Sequence, residues 1–236
     1  MRVFLHEGHD GEPGVEAWVP ELLGFATWAP SRSAAIVQLP GKLADHLAWL
    51  RRHGAADVVD LARFDAFDDV HGNEILLPGD EIPVDRSDID LAIRLLGDSR
   101  ADLLAEIERA PEAVLDWDPP YRRFAPWASW RTVRANLAHI AAGETHYYLA
   151  NLGHQSPSPP PAAGDDWRSA LAASRSEALA FLADLRSSSD LARVAHVDDG
   201  FGEEHWSVRK VLRRMIRHEI LHWKSIRRIC AAYASR

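Results

Sequence analysis

The sequence predicts an α+β domain over residues 1–84, followed by an all-α, up-and-down four-helix bundle over residues 85–236. Up to about residue 84, short apolar and aromatic runs alternate with proline and glycine, as is typical of strands and turns. Beyond Asp85, long segments repeat their apolar residues with the period of a helix. Hydrophobic residues make up 47% and charged residues 26% of the chain, which excludes a disordered or fibrous protein.

Composition narrows the function classes. The single cysteine, Cys230, excludes an internal disulfide, cysteine-based zinc sites and iron–sulfur clusters. A net charge of −8 argues against a nucleic-acid partner held by phosphate contacts. The apolar run at the start of MRVFLHEGHD is too short for the hydrophobic region of a signal peptide. No segment is apolar enough to span a bilayer. We therefore expect a cytoplasmic protein with neither nucleic acid nor membrane as a partner.

The first domain reads as β-β-β-α-β-β. MRVFL forms the first strand, and EAWVPELLGFATWAP forms a strand pair punctuated by Pro20 and Gly24. A helix follows from Ser31, with a Pro-Gly interruption in its middle. VVDLARFDAF (58–67) and EILLPGDEIPV (74–84) are predicted as the last two strands, on either side of a turn-like HGN.

Four amphipathic segments follow and supply the helices of the predicted bundle. They are Ser87–Arg109, Thr132–Asn151, Asp166–Arg186 and Ser207–Tyr233. The proline-rich segment between the second and third helices is a stiff loop rather than a domain boundary. At an offset of 75 residues, Thr132, Leu137 and Glu144 align with Ser207, Leu212 and Glu219, which suggests that the second and fourth helices are equivalent.

Histidines provide the most specific signal. His218 and His222 are four residues apart, so they project side by side from the last helix. Its apolar residues, Val208, Leu212, Met215, Ile226 and Ile229, lie on the same side. Buried neutral imidazoles need partners, and a divalent metal ion would satisfy both at once. The alternative is two partly exposed histidines that bond to water or to acidic neighbours.

The same residues form the zinc-protease pattern H-E-x-x-H. That class needs a third ligand, usually downstream, but WKSIRRICAAYASR contains neither an acidic residue nor a histidine. The usual arrangements of that class are therefore excluded. A third ligand has to come from upstream, and the second helix offers His139 at the edge of its buried stripe of Val133, Leu137, Ile140 and Tyr147. His146 lies two turns further on, and a packed or solvated His139 is the alternative.

These residues resemble a known family. WRTVRANLAHIAAGE, followed by a closing helix with RHEILHWKSI, is similar to the DinB/YfiT-type four-helix bundle superfamily. The resemblance extends from about Asp85 to the C-terminus and implies a divalent metal held by His139, His218 and His222. The family often has glutamine three residues after the last histidine, where this chain has Ser225.

The first domain resembles the HicB-like fold, with a strand, a PxLxG corner, a second strand and a helix that starts with small residues. That resemblance implies an antitoxin-like role by analogy. No DNA-binding segment of the kind that HicB antitoxins commonly carry is visible. We therefore interpret this domain as an element that mediates oligomerisation or shapes the substrate site. If it mediates oligomerisation, a homodimer is the expected assembly.

The resemblance of the helical part to the DinB/YfiT-type superfamily implies a zinc- or nickel-dependent enzyme. That enzyme would be either a thiol-dependent S-transferase or a metal-assisted hydrolase. Its partners would be a small-molecule substrate and a low-molecular-weight thiol. Glu144 and Glu219 are candidate catalytic bases or residues that orient the metal ligands. Arg134 and Arg209 are candidate contacts for an anionic substrate, and solvated surface arginines are the alternative that we favour. A non-catalytic metal-stabilised binding or regulatory protein and a HicB-type antitoxin are the alternatives. Trp127, Trp130 and Trp206 either line a cleft above the metal or, as we favour, pack the helix ends.

Overall fold

The structure is a computed structural model that describes residues 1–7, 13–55, 64, 66–120, 128–188, 191–192, 194–198 and 203–236. Strands and one helix come first, and long helices follow. The strands are β1 Arg2–Glu7, β2 Val15–Trp18, β3 Ala26–Ala29, β4 Ala66–His71, β5 Val194–Asp198 and β6 Glu203–Ser207. The α-helices are α1 Arg32–Arg52, α2 Arg86–Arg109, α3 Val133–Ala142, α4 Trp167–Ser187 and α5 Val208–Ala234.

The N-terminal strands form one sheet in the order β3-β2-β1-β4. Neighbouring strands are antiparallel except β1 and β4, which are parallel. A parallel pair needs a crossover connection, and the connection from β1 to β4 contains α1. Ser31 caps α1 by accepting a hydrogen bond from the backbone N–H of Ala34 at 3.3 Å. The predicted β-β-β-α start is therefore present, and α1 packs on β2 and β3.

Two details of this region were predicted wrongly. The segment Glu74–Val84 is not a strand, because Pro78 and Pro83 lack N–H donors and the backbone closes turns, with Asp80 N–H donating to the Leu77 carbonyl at 2.9 Å. The helix α1 also continues through Pro40, which lies on its exposed side. Of the predicted strand 58–67, residues 58–63 and 65 lie outside the described residues, and β4 begins at Ala66.

The C-terminal part is helical. Helix α2 packs against α4 and α5, and α3 packs against the same two helices. Asp85 and Asp88 form a capping box at the start of α2. An antiparallel hairpin of β5 and β6, which the sequence reading did not predict, joins α4 to α5. Among the described residues, no helix is both long and apolar enough to cross a membrane.

The two parts share one large hydrophobic core, and Phe4, Trp18 and Leu77 form a small separate cluster. Residues of the N-terminal sheet, of α1 and of α2 to α5 belong to one buried apolar cluster. Buried ion pairs also join α5 to the N-terminal part: Arg213 donates to Asp80 at 2.6 Å, and Arg217 donates to Glu16 at 3.1 Å. The sheet and α1 therefore form a fixed wall beside α5. That residues 1–84 and 85–236 are two separate domains stays a prediction.

The helical segment that begins with α3 changes its winding partway along. After Ala142 the chain forms a π-helical turn, Gly143–Tyr148, and then a short 3₁₀ turn, Ala150–Leu152. A π turn has more residues than an α turn, so the buried face shifts by about one residue. Tyr148 is consequently buried, whereas Tyr147, predicted in the buried stripe, is 38% exposed.

Candidate metal centre

Three histidines from two helices meet between α3 and α5. His139 lies on α3, while His218 and His222 lie one turn apart on α5. One ring nitrogen of each lies within 4.8 Å of the other two, and Nε2 of His139 is 2.9 Å from Nε2 of His218. Two unprotonated nitrogens at that separation repel each other unless a proton or a cation lies between them.

Asn136 fixes the orientation of His222. The side-chain amide of Asn136 donates to the backbone carbonyls of Trp130 and Thr132, each at 2.8 Å. Its Oδ1 must therefore face the other way, where it lies 2.7 Å from Nδ1 of His222. Because an amide oxygen only accepts, His222 carries its proton on Nδ1 and keeps the lone pair of Nε2 free for a ligand bond.

Shape complementarity holds the other two rings. The indole of Trp130 stacks on His139, with ring centroids 3.8 Å apart and planes 18° from parallel. Gly143 makes room for His218, since a Cβ at residue 143 would lie 2.8 Å from Cε1 of His218. A larger side chain at residue 143 would push His218 out of the cluster.

All three rings are held neutral. Burial lowers the pKa of His139 to about 4. Burial, reinforced by the neighbouring histidines and by Arg217, lowers the pKa of His218 and of His222 well below the ordinary value. Each imidazole is therefore uncharged at neutral pH, and one nitrogen of each ring keeps the lone pair that a metal ion needs.

The cluster fits a divalent metal ion. Two nitrogens bonded to one tetrahedral ion at about 2.0–2.1 Å are about 3.3 Å apart. The 2.9 Å separation and the 4.8 Å upper limit within the cluster bracket that distance. Three neutral imidazoles suit zinc or nickel, and three ligands leave at least one coordination position open.

A second buried polar cluster lies among the same helices. Arg100 of α2 and Arg175 of α4 each contact both Glu144 and Glu219. Arg175 Nε donates to Glu144 at 2.6 Å and Arg100 Nη2 donates to Glu144 at 3.2 Å, while both arginines also donate to Glu219. Two positive and two negative charges are thus balanced inside the protein, and we call these four residues the ion-pair tetrad.

The tetrad engages all the carboxylate oxygens of Glu144 and Glu219. Although burial alone raises the pKa of the Glu219 carboxyl, Arg100 and Arg175 outweigh it and hold that pKa below its ordinary value. The structure therefore places both residues predicted as catalytic bases in a closed network beside the histidines. Neither carboxylate donates to or accepts from the three histidines in the described contacts.

The tetrad follows the internal repeat. Its four members, with the serines and backbone carbonyls that support them, form pairs of residues that lie 75 positions apart in the chain. The equivalent pairs are Leu96 and Leu171, Ser99 and Ser174, Arg100 and Arg175, and Glu144 and Glu219. The repeat therefore includes α2 and α4 as well as α3 and α5.

Other residues singled out in the sequence lie away from the histidines. His146 is not part of the cluster. Arg134 is paired with Asp116 at 2.7 Å, and Arg209 with Asp88 at 2.9 Å, so both arginines brace helix starts. Trp206 is fully buried, Trp127 lies outside the described residues, and Ser225 lines the cleft described next.

The histidine cluster borders a large cleft of about 1060 Å³. Its walls come from β3 and α1 on one side and from α5 and the end of α2 on the other, and His222 and Trp130 are part of the lining. Of the three histidines, only His222 lines this cleft, so a small molecule bound there lies next to one member of the cluster.

Sequence reasoning missed the residues that support the site. Asn136 and Gly143 gave no signal, because their roles depend on the side chain opposite each of them. Arg100 and Arg175 had a signal, since Ser-Arg recurs at an offset of 75 residues in helices α2 and α4.

A comparison with protein families matches residues 95–226 to the DinB superfamily. The match covers more than half of the chain and includes all three histidines. No curated protein and no solved structure matched the chain significantly.

Proposed function

Because the chain belongs to the DinB superfamily, we propose that His139, His218 and His222 hold a divalent metal ion, zinc or nickel, in an enzyme that acts on a small molecule. The convergence of three neutral imidazoles carries the proposal. The reaction proposed is thiol-dependent S-transfer or metal-assisted hydrolysis.

A bound divalent ion with an open position supplies Lewis acidity, which lowers the pKa of a thiol or a water molecule toward neutrality. The chain's own residues position the ligands and shape access. Asn136 holds His222 through Nδ1, so that Nε2 stays directed away from the hydrogen bond. Trp130 covers His139 and lines the cleft, so it limits the approach of solvent from that side.

Of the two roles predicted for Glu144 and Glu219, base or positioning residue, this proposal takes the second. Their oxygens are occupied by arginine and serine donors. The two guanidinium groups also hold the pKa of Glu219 below its ordinary value. We therefore propose that they position α3 and α5, and that a proton from the nucleophile leaves through the cleft.

Finer features of the architecture belong to the same proposal. The contacts of α2 and α3 with α4 and α5 support an up-and-down four-helix bundle. The β-β-β-α-β order supports a HicB-like N-terminal part, with one strand fewer than predicted. A homodimer stays a prediction.

The test combines cobalt substitution with a thiol titration. The protein loaded with cobalt is titrated with 2-mercaptoethanol, and the visible spectrum is followed. We expect a sulfur-to-cobalt charge-transfer band in the wild type and none in His222→Ala. The alternative outcome is a cobalt spectrum that does not change when thiols or hydrolysable esters are added, together with a melting temperature that falls when the metal is removed. That result would indicate a non-catalytic, metal-stabilised protein.

A further inference from the structure

The cleft beside the histidines carries an excess of positive charge. Its lining contains six basic and two acidic side chains, whereas the whole chain has a net charge of −8. The basic ones are Lys42, Arg109, Arg217, Lys224, Arg227 and Arg228, and the acidic ones are Asp45 and Glu106. A cationic cleft in an acidic protein attracts small anions.

Some of these charges are already neutralised. Arg217 is buried against Glu16 at 3.1 Å. Glu106 lies 3.3 Å from Arg109 and 3.7 Å from Arg227, so it is shared between two cations.

Lys42 and Lys224 differ from these arginines. Both are exposed to the cleft, and neither forms an ion pair with any described residue. Lys42 lines the cleft from α1 and Lys224 lines it from α5, with Asp45 of α1 also in the lining. An anion that enters between two ammonium groups can accept a charge-assisted hydrogen bond from each of them.

The two lysines come from different parts of the molecule. Lys42 lies on α1 of the N-terminal part, whereas Lys224 lies on α5, two residues beyond His222. Gln38 and Thr27 of the N-terminal part add polar groups to the same wall. The N-terminal part thus supplies one wall of the cleft, and α2 and α5 supply the other.

We propose that this cleft binds a small carboxylate- or phosphate-bearing molecule between Lys42 and Lys224, and that the N-terminal part thereby selects the substrate. The identity of that anion as a substrate depends on the proposed function, but its binding does not. The shared chemistry is that of a compact anion held by two charge-assisted hydrogen bonds.

Calorimetric titration of the full chain with succinate, and separately with inorganic phosphate, tests the proposal. Each titration is run on metal-loaded and on chelator-treated protein. The test variant is Lys42→Gln with Lys224→Gln. The control is Arg51→Gln with Arg94→Gln, which removes the same charge from exposed helical positions outside the cleft.

We expect wild type to bind at least one of the two anions, and the lysine double variant to bind it about tenfold more weakly, with or without metal. The arginine control should match wild type within about twofold. The anion that binds distinguishes a carboxylate ligand from a phosphate ligand.

The failures are separable. If wild type takes up no metal but shows lysine-dependent anion binding, the proposed function fails and the cleft proposal stands. If neither anion binds, if the two double variants bind equally, or if binding follows the metal alone, the cleft proposal is overturned.

Discussion

The ion-pair tetrad and the histidine cluster lie among the same helices but satisfy their buried polar groups in different ways. The tetrad balances its charges internally, with Arg100 and Arg175 facing Glu144 and Glu219. The histidine cluster brings three neutral imidazoles together, and its two nitrogens 2.9 Å apart are joined either by the N–H of one ring or by a shared cation. The first arrangement is closed, whereas the second can accept a metal ion in place of a ring proton.

The internal repeat separates the two clusters as well. The tetrad is preserved at an offset of 75 residues, whereas the positions equivalent to His218, His222 and His139 are Gly143, Tyr147 and Arg214. Gly143 contacts the His218 that replaces it in the other half. The repeated residues therefore build the scaffold, and the residues that break the repeat build the site.

The largest expected effect comes from opening the tetrad. Glu144→Gln or Glu219→Gln leaves a buried guanidinium without its counter-charge, so each should lower the free energy of unfolding by about 3–5 kcal/mol. Urea denaturation measures the loss, and Asp90→Asn, in the exposed pair with Arg186, should change little. Strongly unequal losses for the two glutamates would break the proposed equivalence of the halves.

His46 shows what a buried histidine does outside a cluster. It lies between Phe25 and Trp49, its Nε2 has no hydrogen-bond partner among the described residues, and burial lowers its pKa from 6.5 to about 4. Below about pH 6.5 the unfolded chain takes up a proton that the folded chain resists, so stability falls toward pH 4. The His46 contribution to that fall is about 3 kcal/mol at most.

Urea denaturation of wild type and His46→Phe between pH 7 and pH 4 isolates this contribution. The variant should lose less stability than wild type as the pH decreases. Parallel curves for the two proteins would show that His46 takes up its proton as readily in the folded state as in the unfolded state.

Asn136 tests whether the cluster is pre-oriented. Asn136→Ala removes the acceptor of His222 Nδ1, and we expect metal affinity to fall about ten- to a hundredfold in a chelator competition. Thr132→Ala is the control, because it removes the cap of α3 but keeps the backbone carbonyl that Asn136 uses. Thr132→Ala should lower the free energy of unfolding by about 1 kcal/mol and leave metal affinity unchanged. If both variants lost similar metal affinity, the effect of Asn136→Ala would come from lower stability and not from the orientation of His222.

A smaller effect distinguishes two helical glycines. Gly143→Ala forces His218 to move and should weaken metal binding by about tenfold, although alanine favours helix. Gly97→Ala on α2 meets nothing within 4 Å, so it should stabilise the fold by about 0.5–1 kcal/mol without changing metal binding. Equal metal affinity in the two variants would contradict the steric role of Gly143.

Sequence periodicity predicted α5 well because a regular helix keeps one face buried. All five apolar residues assigned to the inner face, from Val208 to Ile229, are buried. The same reasoning failed at Tyr147, because a π turn between Gly143 and Tyr148 changes the phase. Nothing in the local sequence marks that change.

Tertiary partners explain what periodicity could not predict. Glu144 and Glu219 as catalytic bases stay a prediction, but two arginines from other helices, which no local pattern indicates, pair with these carboxylates. The segment 74–84 has the apolar residues of a strand, yet Asp80 turns inward to pair with Arg213 of α5. No spacing links His139 to His222, so the sequence offered His139 only as a candidate at the edge of the buried stripe of its helix, and the family resemblance implied the full ligand set.

Metal stoichiometry tests the central claim most directly. Elemental analysis of protein purified without chelator, and of protein reconstituted with zinc or nickel, should give one bound ion per chain. His139→Ala, His218→Ala and His222→Ala should each lose it, while His146→Ala, outside the cluster, should keep it. A wild-type chain that binds no ion after reconstitution, or three histidine variants that retain a full equivalent, would contradict the account.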